Sequence, residues 1–327
     1  MKHDDLMNLP PIIRDYLTYT ETIKGRSSKS VEEYYLDLTT FFKYLKIIRG
    51  LCSPTEEFEQ IKISDVDAEL ISSVTISDLY SFLVYCKNER GNTAATRARK
   101  TSCLRMFFKY LTNHIHLLKE NPAEMLETPK IKKSLPLHLN LNESKKLLNS
   151  VDGAFKERDF CILLLFLNCG MRLSELCGLN LKSIDYENSS LRILGKGSKE
   201  RIVYLNKSCM TAILEYLKVR PVDGVVQKDK DALFLSKRKQ RISNKTVQHI
   251  VYTNLEKAGL GGRGFSVHKL RHTAATLMYQ EGNVDVRVLK EVLGHENLGT
   301  TQIYTHVANE QVKKAINSNP LADFNKD

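Results

Sequence analysis

Apolar residues recur every three or four positions along the first third of the chain, and this is the spacing of an amphipathic helix. The pattern predicts four helices, at about residues 10–24, 29–49, 75–89 and 93–118. Residues that can begin or end helices stand near the ends of these segments: Ser30, Thr75 or Ser77, and Thr93 as N-caps, and Gly25, Gly50 and Gly91 as stops. The sequence therefore predicts an all-helical N-terminal domain.

Three prolines, at 122, 129 and 136, and a lysine cluster mark the segment NPAEMLETPKIKKSLPLHLN. This composition favours an extended linker over a packed element. We therefore predict an N-terminal domain over 1–125, a linker over 126–138 and a C-terminal domain over 139–327.

The pattern changes twice in the second half. Asn142 can cap a helix, and RDFCILLLFLNCG is apolar nearly all round, which predicts a buried helix. In LRILGKGSKERIVYL, at 191–205, two runs rich in Ile, Leu and Val flank a Gly-Lys-Gly-Ser-Lys turn, and this predicts a β-hairpin with Lys196 at or beside its tip. Helical spacing then returns at about 207–219, 243–257, 266–281, 284–293, 299–306 and 308–317. The predicted fold is mainly α, with one small β-sheet in the C-terminal domain.

Composition narrows the class of protein. Of 327 residues, 42% are hydrophobic and 27% charged, which is typical of globular proteins rather than disordered or membrane proteins. The longest apolar run, FCILLLFL at 160–167, is too short to cross a bilayer, and MKHDDLMNLPP does not resemble a signal peptide. Seven scattered cysteines without a C-x-x-C pair favour neither a disulfide framework nor a zinc site. We expect a cytoplasmic protein.

The formal net charge of +11 makes nucleic acid the expected partner. Residues 90–119 hold seven basic residues and no acid. Residues 50–78 hold seven acids and a single basic residue, Lys62, so this stretch is expected to face away from a phosphate backbone.

Four polar segments carry the candidate chemistry: GMRLSEL (170–176), GKGSKER (195–201), VHKLRHTAAT (267–276) and LGHENLGTTQIYTH (293–306). Each alone has an ordinary interpretation. Arg172 and Glu175 could form a helical ion pair, and Lys196 could be a solvated loop lysine. His268 and His272 have a spacing that can bind zinc, but the intervening cations disfavour a metal.

Taken together, the four segments supply what attack on a phosphodiester requires. Charge that develops on the phosphate oxygens must be met by fixed cations and hydrogen-bond donors when no metal ion does so. The assignment is Arg172 and Arg271 as phosphate-binding forks, His268 and His295 as hydrogen-bonding and proton-exchanging groups, Lys196 as proton donor to the departing oxygen, and Tyr304 as nucleophile. Tyr279 is the next candidate for the nucleophile.

The combination resembles the tyrosine recombinases, in particular the Xer-like branch of the tyrosine-type integrases, over most of residues 139–317. The matching motifs are G-[LM]-R-x-S-E-L at Arg172, the hairpin Lys at Lys196, H-x-L-R at His268 and Arg271, L-G-H at His295 and T-T-x-x-Y-T-H at Tyr304. The resemblance implies that Glu175 supports the active-site arginine and histidine. Cys169, Tyr204 and an apparent insertion at 50–74 depart from the family pattern without touching a catalytic position.

The resemblance also implies an architecture and partners. A helical, SAM-like core-binding domain and a mostly helical catalytic domain with a small sheet would form a C-shaped clamp around double-stranded DNA. The implied DNA contacts are Ser27, Lys29, Thr93, Thr96, Arg97, Arg99, Lys100, Lys199 and Arg201. A homo- or hetero-tetramer would assemble on two DNA sites without a cofactor or membrane, and its subunits would exchange C-terminal tails through the apolar face of Val307, Val312, Ala315 and Ile316. Packing of this tail on its own subunit is the alternative.

The predicted function is site-specific DNA recombination through a 3′-phosphotyrosyl intermediate, without metal or ATP, in the nucleoid. Its role would be chromosome dimer resolution or the integration and excision of a mobile element. The alternatives are a type IB topoisomerase-like enzyme, which would relax supercoils at no defined site, and a DNA-binding regulator that has lost cleavage, which would form no covalent adduct. A metal-dependent nuclease is disfavoured because the sequence shows no carboxylate cluster.

Overall fold

The computed structural model describes residues 9–53, 55–131, 137–194, 200–282, 284–293 and 316–322. The chain divides into two compact units, Met1–Ser134 and Leu135–Asp327. The point of division lies inside the segment 126–138, and the exact bounds of the linker stay a prediction. Among the described helices, none combines the length and hydropathy that a membrane span needs.

Helices make up the regular structure described in the first unit. They are Pro11–Thr22 (α1), Ser28–Ile48 (α2), Ala68–Ser72 (α3), Ile76–Asn88 (α4) and Ala94–Asn113 (α5). The four helices expected from apolar spacing are present, although α5 ends five residues earlier than predicted. The short helix α3 lies within the acidic stretch and was not predicted.

Hydroxyl side chains begin three of these helices. Thr75 and Thr93 cap α4 and α5 as expected, and the side chain of Thr75 accepts a hydrogen bond from the backbone N–H of Asp78. The prediction of Ser30 as the cap of α2 is wrong, because the cap is Ser27, whose Oγ accepts from the Ser30 N–H. An N-cap serves donors two or three residues later in the helix, so Ser30 already lies inside α2.

Aromatic side chains fill the core of the first unit. Phe41, Phe42, Phe82, Phe107 and Phe108 are fully buried, and neighbouring rings meet edge to face at centroid distances of 5.1–6.3 Å. These rings come from α2, α4 and α5, so one apolar cluster joins the three longest helices of the unit.

Two buried lysines of α2 fasten the acidic stretch to this core. Lys43 Nζ donates to the carbonyls of Phe58 and Glu59 at 3.1 and 2.7 Å. Lys46 Nζ donates to the carbonyl of Lys62 at 2.9 Å and pairs with Asp65 at 2.7 Å. The acidic stretch is therefore held against α2 by hydrogen bonds from two lysine ammonium groups to its backbone carbonyls and by one ion pair.

The second unit contains seven α-helices in its described part: Leu141–Asn149 (α6), Lys156–Cys169 (α7), Leu173–Gly178 (α8), Lys207–Val219 (α9), Asn244–Lys257 (α10), Val267–Gln280 (α11) and Val286–Leu293 (α12). The cap of α6 is Asn140, paired with Glu143, and not Asn142 as predicted, because Asn142 is already helical. The expected buried helix is α7, in which every residue from Cys161 to Cys169 is fully buried.

A three-stranded antiparallel sheet completes this unit. Its strands are Ile184–Asp185 (β1), Ser190–Leu194 (β2) and Glu200–Tyr204 (β3), in the order β1-β2-β3. β2 and β3 pair from Ser190 opposite Tyr204 to Leu194 opposite Glu200, as the hairpin prediction requires. The turn between them, 195–199, lies outside the described residues.

Near the C-terminus, residues 316–322 pack on the second unit. Ile316, Asn319 and Leu321 are at most 2% exposed, and Asn319 Nδ2 donates to the carbonyl of Leu167 in α7 at 2.9 Å. The Ser208 N–H donates to the Ala322 carbonyl at 3.1 Å. The other residues of the predicted apolar tail face, Val307, Val312 and Ala315, lie outside the described residues, as does the predicted helix 299–306.

Candidate active site in the second unit

Arg172 stands where the chain leaves one helix and starts the next. Helix α7 ends at Gly170, which adopts a left-handed conformation with φ +56°. A Cβ atom added at this position would lie 2.7 Å from Leu293 Cδ2, so the backbone approaches α12 closely. Two residues later Arg172 is the N-cap of α8, with its side chain 38% exposed.

The buried carboxylate of Glu175 organises the arginines around it. Its side chain is 3% exposed and accepts from the Arg172 N–H at 2.7 Å and from Arg172 Nη1 at 2.8 Å. Arg201, from β3, donates through Nη2 at 2.9 Å and through Nε at 3.3 Å. Burial alone would raise the pKa of Glu175, but the hydrogen bond and charge of Arg201 and the hydrogen bonds of Arg172 outweigh it and lower the pKa. Glu175 is therefore a carboxylate at neutral pH.

Arg271 joins the same region from α11. Its residue is 3% exposed, and Nη1 donates to the Gly170 carbonyl at 2.7 Å while Nη2 donates to the carbonyl of Leu293. Burial first, and then the positive charge of Arg172, lowers the pKa of Arg271 to about 10. The guanidinium therefore remains charged at neutral pH and ties the ends of α7 and α12 together.

His268 lies one helical turn before Arg271, on the exposed side of α11. Its Nε2 lies 3.1 Å from Nε2 of His272, and the two rings are nearly perpendicular. Burial lowers the pKa of His268, as do the charges of Arg271, Lys269 and Arg172. A neutral imidazole can both accept and donate a hydrogen bond, which suits a group that exchanges protons. In the described ranges, no three His, Cys, Asp or Glu side chains gather as a metal site would require.

The structure thus brings together Arg172, Glu175, Arg271 and His268 from α8 and α11. Three further predicted catalytic residues, Lys196, His295 and Tyr304, lie outside the described residues, as does Lys199. Their neighbours in sequence are placed: β3 starts four residues after Lys196, and α12 ends two residues before His295. Tyr279, the second candidate for the nucleophile, is 54% exposed near the end of α11.

The predicted DNA contacts of the first unit form two groups, one at the starts of α2 and α5 and one, Arg99 and Lys100, further along α5. Ser27 and Thr93 are helix caps, and the Thr93 and Thr96 hydroxyl oxygens lie 3.0 Å apart. Lys29 is exposed at the start of α2, and Arg97 Nη1 donates to the carbonyl of Asn92 at 2.6 Å. The DNA contacts predicted at the starts of α2 and α5 therefore stay predictions.

Lys100, which the sequence predicts as a DNA contact, is buried in the first unit. Lys100 is 7% exposed, and its Nζ lies 2.8 Å from Asp37, a carboxylate only 1% exposed. Arg99 Nη1 lies 2.6 Å from the same carboxylate, with its side chain 37% exposed. A buried carboxylate requires cationic partners, and Lys100 and the partly exposed Arg99 supply them, so the DNA contacts predicted for both residues stay predictions.

The exposed basic face of α5 carries two other residues, Arg105 and Lys109. Together with Ala98, Ser102, Met106 and Thr128 they line a depression of about 430 Å³. Positions 98, 102, 105 and 109 follow helical spacing, so this face could have been found by placing the basic residues on a helix.

Comparisons with known proteins agree on one family. Residues 138–311 match the phage integrase family. Tyrosine recombinase XerC of Caldanaerobacter subterraneus subsp. tengcongensis is 52% identical over 318 residues, which cover 97% of this chain and 89% of that protein.

Solved structures share the fold. XerH site-specific recombinase bound to its difH substrate, in a pre-cleavage complex, matches with a TM-score of 0.64 and 24% identity, over 93% of this chain and 82% of that one. A lambda integrase tetramer bound to a Holliday junction matches with a TM-score of 0.63 and 16% identity, over 89% and 78% of the two chains.

Proposed function

The chain belongs to the phage integrase family, as a Xer-like tyrosine recombinase, and from this premise we propose that it exchanges DNA strands through a covalent bond to Tyr304. The enzyme is a site-specific DNA recombinase. The topoisomerase-like and regulator alternatives are not favoured. What remains to be assigned is which side chains act, in which assembly and for which biological task.

The observation that carries the proposal is that Arg172, Arg271 and His268 lie close enough to influence one another's charge, with Arg172 held by the buried carboxylate of Glu175. Two guanidinium groups in one region supply fixed positive charge for a phosphate: Arg172 has a partly exposed side chain, whereas the buried Arg271, whose two Nη nitrogens donate to carbonyls, contributes through its charge. Glu175 orients Arg172 from inside the protein and leaves its side chain partly exposed. The site is therefore charged and organised before DNA arrives.

The proposed reaction is a transesterification. The phenolic oxygen of Tyr304 attacks the phosphorus and forms a P–O bond, while the bond from phosphorus to the 5′ oxygen breaks. The phenol proton passes to His268 or His295, and Lys196 supplies a proton to the departing 5′ oxygen. Attack by a 5′ hydroxyl from another strand reverses these steps and releases Tyr304. Because the phosphotyrosyl bond conserves the energy of the phosphodiester, rejoining requires no ATP.

We expect Tyr304→Phe to bind DNA normally and never to become linked to it, because phenylalanine has no oxygen to attack the phosphorus. The measurement is covalent adduct formation on a nicked suicide substrate, in the presence of EDTA, with binding followed in parallel. Tyr279→Phe is the matched control and should form the adduct at the wild-type rate. An adduct in the Tyr304→Phe protein, lost in the Tyr279→Phe protein, would move the nucleophile to Tyr279.

The enzyme binds DNA and forms multimers, in keeping with the DNA-bound tetramer of a protein with the same fold. We propose four subunits on two DNA sites, acting in the cytoplasm on the nucleoid.

The near full-length similarity to a Xer recombinase favours chromosome dimer resolution over movement of a mobile element. Mapping the covalent adduct on genomic DNA tests this choice. Attachment at one chromosomal locus supports dimer resolution, and attachment at the ends of a mobile element contradicts it.

A further inference from the structure

Of the two basic residues predicted to contact DNA in the second unit, Lys199 lies outside the described residues and Arg201 lies within them. Its side chain is 18% exposed, and three nitrogens of its guanidinium donate to groups of the protein. Nε and Nη2 form a fork on the two carboxylate oxygens of Glu175, and Nη1 donates to the carbonyl of Val292 at 2.9 Å. The fork that would grip a phosphate is therefore already used on a carboxylate.

These contacts join three elements, β3, α8 and α12, whose relative positions the proposed chemistry depends on. Arg201 is the second residue of β3 and follows the turn that contains Lys196. Glu175 in α8 holds Arg172, and Val292 belongs to the last turn of α12, just before His295. The final carbonyls of a helix lack intrahelical partners and carry partial negative charge, so a guanidinium is well placed there. Arg271 binds the next carbonyl, that of Leu293.

We infer that Arg201 is a positioning residue that acts through Glu175 and through the end of α12, rather than a DNA contact. It holds the carboxylate against Arg172 and fixes the base of the hairpin relative to the segment that leads to His295. This role is an alternative to the DNA contact that the sequence predicts for Arg201. The inference rests on the proposed function only because adduct formation is its readout.

The test compares Arg201→Gln and Arg201→Lys with wild type in three measurements: DNA affinity, adduct rate at saturating DNA and the unfolding midpoint. Since small displacements of reacting groups cost about 100-fold in rate, we expect Arg201→Gln to lose about 10- to 100-fold in adduct rate at saturating DNA. DNA affinity should stay within about twofold, because no phosphate contact is removed. Arg201→Lys should recover part of the rate, since an ammonium keeps the charge but lacks the planar fork.

The matched control is Arg192→Gln. Arg192 lies on β2 opposite Ile202, on the exposed face of the same sheet, so the variant removes a positive charge without touching Glu175. It should keep the wild-type adduct rate. A double variant with Glu175→Gln should lose less than the product of the two single losses, because Arg201 is inferred to act through that carboxylate.

Two results overturn the inference. A loss confined to affinity, with a shallower salt dependence and a normal rate at saturating DNA, would make Arg201 a phosphate contact. A rate that falls only in proportion to the folded fraction, in both Arg201 variants, would make its role structural. Failure of the proposed function is separate, because it would appear as an absent Tyr304 adduct in the wild-type protein.

Discussion

Single residues in this protein show that a basic side chain need not face DNA. Lys100 and Arg99 lie in the most basic stretch of the sequence, yet both pair with the buried Asp37. Burial raises the pKa of Asp37, and the hydrogen bond and charge of Lys100, followed by the charge of Arg99, oppose that rise. The sequence shows the two cations but not their pairing with a carboxylate that lies 62 and 63 positions away from them.

We expect Lys100→Met to destabilise the first unit by about 3 kcal/mol, because breaking one side of a buried ion pair leaves a charge without full compensation. The measurement is urea unfolding, with the exposed Lys119→Met as the matched control, which should change stability little. DNA affinity of the folded Lys100→Met protein should equal that of wild type. A loss of affinity without a loss of stability would return Lys100 to the DNA interface.

Residues of the active site were predictable to different degrees. Arg172, His268 and Arg271 could be identified from the four polar segments taken together, and Glu175 from the resemblance that these segments carry, although each segment alone has an ordinary interpretation. The role inferred for Arg201 could not, because its partners Glu175 and Val292 lie 26 and 91 positions away. A basic residue in a hairpin is by default expected on the surface, and only tertiary structure shows the carboxylate beside it.

At the scale of elements, apolar spacing identified most helices and both hairpin strands, since one face of each packs into a core. The short helix α3 escaped because its five residues are too few to show a period. Basic residues of helix α5 lie on different faces of the helix: Lys100 is buried, while Arg105 and Lys109 are on the exposed face.

We expect Arg105→Gln and Lys109→Gln each to weaken DNA binding uniformly across sequences, because the exposed face of α5 would contact phosphates and not bases. Each substitution should reduce the slope of log affinity against log salt by about 1. Lys119→Met, outside this face, serves again as the control. Unchanged affinity and slope in both α5 variants would place the DNA on another surface of the first unit.

At the scale of the whole molecule, residues 316–322 near the C-terminus are part of the second unit's core. Leu321 is fully buried, and Ile316 packs with Ala274, Met278 and Val292. Removal of residues 308–327 would therefore strip core contacts as well as any contact with a neighbouring subunit. A cleaner division of the two roles comes from a substitution inside the described segment.

We expect Leu321→Ala to cost about 3 kcal/mol of stability, as for other leucines removed from a core. If 316–322 packs on its own subunit, the unfolding midpoint of wild type and variant should not change over a roughly hundredfold range of protein concentration. Removal of 323–327 alone is the control and should be neutral. A wild-type midpoint that rises with concentration, and a variant midpoint that does not, would show that the segment docks in a neighbour.

Gly170 links the ends of two helices through the absence of a side chain. Its carbonyl receives Arg271, and its bare α-carbon leaves room for Leu293. Any replacement must overcome the left-handed backbone and also displace a leucine near the proposed catalytic histidine. In a randomised library, a substitution at position 170 should therefore be tolerated only together with a smaller residue at position 293. Substitutions at the two positions are thus expected to vary together, although 123 positions separate them.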